Sequence, residues 1–259
     1  ETQVGRFLLL VAAAAQEKIA TDKADPVILE VFNNLFMSIA EQMGAVLENT
    51  AYSVNIKERL DFSCAVFDKE GGLIANAPHM PVHLGSMGES VRTIINNRSG
   101  NMKPGDAYML NDPYHGGTHL PDITIITPVF GTEDTTAPLF YVASRGHHAD
   151  IGGITPGSMP AYSTHIDEEG ILLNDVEIVH EGRFREAEIR NILSSGKYPA
   201  RNIDQNIKDL RAQIAANARG AQELLRMVDP YSLDVVNAYM QHIQDNADEH
   251  VRRAIPVLN

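Results

Sequence analysis

Two short stretches of this chain concentrate side chains able to do chemistry. Asn111 to Asp122 reads NDPYHGGTHLPD and supplies Asp112, His115, His119 and Asp122; Arg145 to Gly153 reads RGHHADIGG and supplies His147, His148 and Asp150. Imidazoles and carboxylates without thiolates suit a borderline cation, Zn²⁺, Mn²⁺ or Fe²⁺, with Mg²⁺ a further option. Three protein ligands beside open positions is the usual make-up of a catalytic metal site. The preferred ligands are His119, Asp122 and His148. His147 competes with His148, because adjacent side chains in an extended segment point to opposite faces and both reach one ion only across a kink. Asp112, His115 and Asp150 would then orient the ligand imidazoles.

Seven of the ten histidines lie between positions 79 and 165. His79 and His83, with Met80 and Met87, stand in NAPHMPVHLGSM and are candidates to line a substrate pocket, the alternative being a Pro-bounded loop packed on a core by its Met residues. Pro78 and Pro81 forbid a helix around them. Cys64 shares one face of an alternating run with Phe62 and Val66 and reads as a small buried hydrophobe, not a nucleophile.

The elements that must position these residues are legible from periodicity. Asp25-Pro26 pairs an N-cap acid with proline at the first helical position, and Ile28, Phe32, Leu35, Ile39, Met43 and Val46 continue at helical spacing, predicting a helix to about Asn49. Asp61 to Phe67 and Leu73 to Ala77 flank a Gly-Gly turn and predict a β-hairpin. Ser86 with Glu89 three residues on predicts a capped helix to about Asn97. Ala107 to Leu110, Ile123 to Phe130 and Leu139 to Ser144 read as strands with the polar motifs at their ends, and Ile171 to Leu173 with Val176 to His180 as a strand pair. Asn202 to Val228 and Tyr231 to Ala254 read as helices separated at Asp229-Pro230. The predicted fold is α+β, a mixed β-sheet core with flanking helices and a helical C-terminal segment.

Composition narrows the function. The formal charge is −13, from 21 Lys plus Arg against 34 Asp plus Glu, with no basic run longer than Arg252-Arg253. That disfavours nucleic acid and an anionic membrane surface as partners. With 44% hydrophobic and 21% charged residues the chain is of ordinary globular composition. The single cysteine and the lack of a signal-peptide pattern lead to an expectation of a reducing cytoplasm. The longest apolar run, Phe7 to Ala15, has nine residues where a bilayer span needs about 20. That run and the polar stretch Gln16 to Lys23 read as the tail of a preceding unit plus a linker, residues 1–24.

The segments AEQMG, NTAYSVNIKERLDFSCAVFD, APHMPVHLGSM, NDPYHGGTHLPD and RGHHADIGG together resemble the hydantoinase B family. That family includes the B parts of ATP-dependent 5-oxoprolinase and N-methylhydantoinase and the related subunits of acetone and acetophenone carboxylases. The likeness runs from about Asp25 to the C-terminus, and EVFNNLFMSIAEQMG and SVNIKERLDFSCA are most similar to 5-oxoprolinase, fused forms included. Residues 25–259 would then be the N-terminal portion of a longer B-type domain.

The resemblance implies that His119 and Asp122, with a histidine of Arg145 to Asp150, hold a divalent metal; the choice between His147 and His148 stays open. It implies ATP-dependent opening of a cyclic amide, 5-oxo-L-proline or a hydantoin, to the open-chain amino acid in an oligomeric enzyme. ATP would be bound by a partner hydantoinase A-type part, fused or separate. This chain carries no G-x-x-x-x-G-K-[ST] phosphate loop. His147 or His115 is the candidate general base. The alternatives are a subunit of an ATP-dependent ketone carboxylase, and a non-catalytic docking domain whose histidines are structural.

Overall fold

The structure, a computed structural model, describes residues 19–258 apart from 78, 133 and 134. The apolar run Phe7 to Ala15 lies outside the described residues. Among these residues the chain forms six α-helices, α1 (Pro26–Thr50), α2 (Val54–Lys57), α3 (Leu84–Arg98), α4 (Glu186–Leu193), α5 (Ile203–Tyr231) and α6 (Leu233–Leu258). Seven strands, β1 (Phe62–Phe67), β2 (Leu73–Asn76), β3 (Ala107–Leu110), β4 (Asp122–Phe130), β5 (Pro138–His147), β6 (Val176–His180) and β7 (Arg183–Phe184), form one sheet in the order β2-β1-β5-β4-β3-β6-β7. Every neighbouring pair is antiparallel. The fold is α+β, as the pattern of periods predicts. No helix among the described residues is long and apolar enough to cross a membrane.

The chain divides into two compact units, with the divisions inside α1 and α5. One unit comprises the chain up to Phe36 and from Gln222 onward. Its α1 starts where the cap signal placed it: Asp25 Oδ1 accepts from the N–H groups of Val27 (2.8 Å) and Ile28 (3.1 Å), satisfying two of the donors a helix start leaves open. Phe32 stacks on Tyr239 with ring centroids 4.7 Å apart and meets Tyr231 at 4.9 Å, giving the unit an aromatic core. The predicted break at Asp229-Pro230 falls later. α5 runs on through Pro230, closes with Ser232 N–H on Val228 O, and the chain turns at Ser232 with φ 71°.

The other unit, Met37–Ala221, holds the sheet. Strand alternation sorts its residues to two faces. Ala65, Phe67, Tyr108, Leu110, Ile126, Tyr141 and Ala143 pack on Met87, Val91 and Ile94 of α3. Met109, Ile123, Ile125 and Ile178 face Ile189 and Leu193 of α4 and Ile207 and Leu210 of α5.

Three local expectations change. β5 runs three residues past Ser144, because it lies between β1 and β4 and stays paired with both, through Phe62↔Gly146 and Asp122↔His147. Residues 171–173 are not a strand. The buried Asn111 side chain takes their backbone groups, donating to Ile171 O (2.9 Å) and accepting from Leu173 N (2.6 Å), and β6 pairs with β3 and β7 instead. α3 begins at Leu84 after a 3₁₀ turn at Pro81–His83, so Ser86 lies inside the first turn and donates to His83 O at 3.2 Å where a capping box was predicted.

Candidate functional site

The face of the sheet covered by α3 carries the chemistry at one end. Asp122 opens β4 directly opposite His147 at the end of β5, and residues directly opposite in a ladder share a face. His147 Nδ1 lies 3.0 Å and His119 Nε2 2.8 Å from the same atom, Asp122 Oδ1. The other oxygen, Oδ2, meets His83 Nε2 at 3.3 Å and accepts from Thr118 Oγ1 at 3.3 Å. His83 is itself held, its Nδ1 3.0 Å from Ser63 Oγ. Asp61 closes the ring from the residue before β1, with Oδ2 at 3.9 Å from His147 Nδ1.

Burial would by itself push the Asp122 carboxyl up, but hydrogen bonds from His119, His147 and His83 reverse that and hold it far below the usual carboxylate range. The hydrogen bond to Asp122 raises His119 in turn. The Asp122 side chain is 6% exposed and that of His119 36%, so the cluster is anchored inside and opens to solvent through His119.

This donor set fits a divalent metal. One ligand atom from each of His119, Asp122 and His147 lies within 4.8 Å of the other two. The separations of His119 Nε2 and His147 Nδ1 from Asp122 Oδ1, 2.8 and 3.0 Å, are under the about 4 Å that ligand atoms about 2.1 Å from one shared ion can span. A carboxylate gripped by three imidazoles and a threonine is a costly arrangement for mere packing.

The Gly116-Gly117 pair lets the His119 loop take its path. Gly116 has φ 87°, and a Cβ there would stand 2.5 Å from Thr93 Oγ1 on α3. At Gly117 a Cβ would stand 2.3 Å from Asn111 O. At the tip of this loop His115 Nδ1 sits 2.6 Å from Asp112 Oδ2, with Asp112 buried and the His115 side chain 56% exposed.

The predicted trio of His119, Asp122 and His148 is therefore not the one assembled. His148 follows β5 and turns to the α5 side, fully buried, with Nε2 3.0 Å from Gln213 Oε1 and Nδ1 3.2 Å from Asn206 Nδ2. Both ring nitrogens are occupied, and burial lowers its pKa and keeps it neutral. Nor does Asp150 reach the cluster. Its carboxylate accepts from the N–H groups of Gly152, Gly157 and Arg201 and pairs with the Arg201 guanidinium at 2.7 Å. Asp112 orients His115, not a residue of the trio.

His83 and His79 are both packed within the fold, in a segment whose Met87 is buried in the core as the second reading has it. His83 is 3% exposed and supports Asp122. The His79 ring packs on Phe62 at 4.4 Å and against Gly44, where a Cβ would come within 2.4 Å. Cys64 is buried as expected, and burial pushes its thiol well above the ordinary range.

The residues missed in the sequence are Asp61, Arg145 and Gln213. Asp61 is brought in by register: His147 N–H bonds Asp61 O at 3.0 Å across the β1–β5 ladder. Gln213 belongs to a polar stripe on α5, Asn206, Asp209, Gln213 and Asn217, whose spacing of three and four reads as a solvated face yet is fully or nearly fully buried. Its Nε2 donates to Ile123 O (2.9 Å) and Ser144 O (3.1 Å), bolting the helix to β4 and β5.

A second trio, Asp106, Glu177 and His180, also clusters. Its lone pairs are taken: Asp106 accepts from Lys103 N, Glu181 N and Tyr108 OH, and Glu177 pairs with Arg185 at 2.9 Å. It is a network stitching β3 to β6.

Comparison with known proteins agrees with this architecture. The model of the family described as hydantoinase B/oxoprolinase matches residues 25–259. A 5-oxoprolinase of Dictyostelium discoideum is 49% identical over 243 residues, 94% of this chain and 19% of that protein. The chain thus spans about a fifth of the length of that relative. The crystal structure of an ATP-dependent caprolactamase from Pseudomonas jessenii superposes with a TM-score of 0.80 at 28% identity, covering 90% of this chain and 39% of that one. An acetone carboxylase solved without nucleotide superposes at 0.70 and 17% identity over 83% of this chain and 28% of its own, a likeness of fold alone. The chain belongs to the hydantoinase B/oxoprolinase family.

Proposed function

We propose that this chain forms the metal-bearing part of an ATP-dependent cyclic-amide hydrolase that opens 5-oxo-L-proline to L-glutamate. The observation that carries the reading is the Asp122 carboxylate held by His119, His147 and His83 at one end of the sheet. The substrate follows from the 5-oxoprolinase relatives, and ATP would be bound by an A-type partner part.

His119, Asp122 and His147 would hold the metal, with Asp61 beside them. When bound, a divalent ion supplies a Lewis acid for the amide carbon–oxygen group and water of lowered pKa. Asp122 stays ionised because its three imidazoles favour the charged form. His83, buried between Ser63 and Asp122, fixes the carboxylate's orientation. Half-exposed His119 marks the side from which substrate arrives. His115, with Nδ1 committed to Asp112, keeps Nε2 as the free proton-accepting atom and can take a proton from water and return it to the ring nitrogen that leaves as the amine.

Metal content of the dialysed full chain as wild type, His119→Ala, His147→Ala and His148→Ala tests the site. Wild type and His148→Ala should carry near-stoichiometric metal, and the other two should lose it. ATP-dependent release of glutamate from 5-oxoproline, assayed with the A-type part present, should fall with the metal. Retention of metal and ring opening in His119→Ala and His147→Ala would sink the site. Metal without ring opening would sink the substrate.

A further inference from the structure

Among the described residues Arg145 is the largest fully buried side chain, and no carboxylate forms an ion pair with it. Burying an unpaired guanidinium costs several kcal/mol, so a position needing only packing would carry an apolar side chain. Its partners are three hydroxyls. Nε donates to Thr124 Oγ1 at 2.7 Å, one terminal nitrogen to Ser90 Oγ at 2.8 Å, and the other to Ser86 Oγ.

A hydroxyl that accepts from a cation has its own proton directed away from that cation. Both serines pass it to backbone of the site. Ser86 Oγ donates to His83 O at 3.2 Å, and His83 carries the ring that supports Asp122 Oδ2. Ser90 Oγ donates to Gly116 O, in the loop between His115 and His119. The acceptor in its own helix, Ser86 O, is more distant at 3.5 Å. Arg145 also stands on β5 two residues before His147 and opposite Thr124, two residues after Asp122, on the same face as both. One buried group thus touches, directly or through one hydroxyl, every segment that supplies an atom to the cluster except Asp61.

We propose that Arg145 is a positioning residue of the histidine–carboxylate site, which through Ser86 and Ser90 holds the His83 turn and the His119 loop in place around Asp122. The proposal rests on the reading of that site as metal-binding. The planar fork of arginine, with donors at fixed angles, suits three hydroxyls on two elements. Lysine offers one nitrogen and cannot reach all three.

The test is the affinity of the full chain for Mn²⁺, titrated against a competing chelator at a temperature where every variant is folded. Ser90→Ala and Arg145→Met should each weaken Mn²⁺ about 10–100-fold, the usual loss when a group that orients metal ligands is removed. Arg145→Lys should recover part of it. Arg145→Met combined with Ser90→Ala should lose little more than Arg145→Met alone, since the two act in one chain. Asn217→Ala controls for mere destabilisation: Asn217 is a buried bolt on the α5 face, donating to Ile125 O at 3.0 Å, and its loss should lower stability while leaving Mn²⁺ affinity unchanged.

Should Arg145→Met fail to fold, Ser90→Ala, which removes one oxygen, decides. Unchanged affinity in Ser90→Ala and Arg145→Lys, with wild type binding normally, overturns the positioning role alone. A wild-type chain that binds no Mn²⁺, Zn²⁺ or Fe²⁺ overturns the site and this proposal together.

Discussion

Replacing Gln213 by alanine separates the bolted face of the sheet from its chemical face. Gln213 is fully buried and makes three hydrogen bonds, to Ile123 O, Ser144 O and the His148 ring. Its removal leaves one imidazole N–H without a partner in a site closed to water and takes a second acceptor bond from two strand carbonyls that the β4–β5 ladder already serves. At about 0.5–1 kcal/mol for each second carbonyl bond and about 1–2 kcal/mol for the orphaned imidazole N–H, the loss is about 2–4 kcal/mol, a large fraction of the stability of a domain this size. Equilibrium unfolding in urea should show the midpoint falling with the slope unchanged. Gln213→Leu identifies the cause. It fills most of the space but loses the same three hydrogen bonds, so it should stay within about 1 kcal/mol of the alanine variant if lost hydrogen bonds dominate. A loss under about 1 kcal/mol in Gln213→Ala would show that the three bonds contribute little and would refute the bolt. Metal content should not change in either variant, because the imidazole Gln213 touches, His148, lies on the α5 side and outside the Asp122 cluster. A parallel loss of metal would refute that separation.

Two further outcomes follow from local geometry. Gly117→Ala places a Cβ 2.3 Å from Asn111 O, backbone that cannot step aside, so thermal unfolding should report a loss of about 2–3 kcal/mol and metal titration a weaker site, the loop being the one that carries His119. Asp150 is pushed up by burial but pulled further down by the N–H groups of Arg201, Gly152 and Gly157 and by the Arg201 side chain, so its folded pKa lies below the ordinary 3.8. A depressed carboxyl contributes stability above about pH 4 that is lost as pH falls through the folded value. Asp150→Asn should therefore be less stable at pH 7 and decline less steeply toward pH 3 in urea unfolding; parallel pH curves for the two proteins would contradict this.

The elements legible in the sequence were those with a local signal. The α1 start needed only Asp25 and Pro26, and the strands needed only their alternation and turns. The loop carrying His119 and Asp122 announced itself through four chemically apt side chains between prolines. What stayed hidden depends on pairing. Choosing between His147 and His148 requires knowing where β5 ends, and that is set by two neighbouring strands, each distant in sequence. One residue more of strand moves the exposed choice from one imidazole to the other. Asp61 reaches the cluster by the same register and has no motif of its own. The stripe Asn206, Asp209, Gln213 and Asn217 was visible, but only packing shows that its polar groups meet strand carbonyls instead of water.

The alternation of β5 divides labour at the end of the sheet. Arg145 and His147 point to the α3 face with Asp122, Thr124 and Ser63; Ser144 and Gly146 point to the opposite face, where Ser144 Oγ donates to Gln213 O of α5 and a Cβ on Gly146 would come within 2.8 Å of Ile56 Cδ1 of α2. Two of the proposed ligand positions, Asp122 and His147, are thereby fixed on interior strands held by pairing on both sides, which is where a site of defined geometry is best built. His119 alone stands on a loop, more exposed than either, and its loop is pinned from beneath through Ser90. If the proposed reading holds, such a centre would keep its carboxylate oriented before an ion arrives and leave one imidazole able to adjust, so mutations that loosen the pin should alter metal affinity before they alter the sheet.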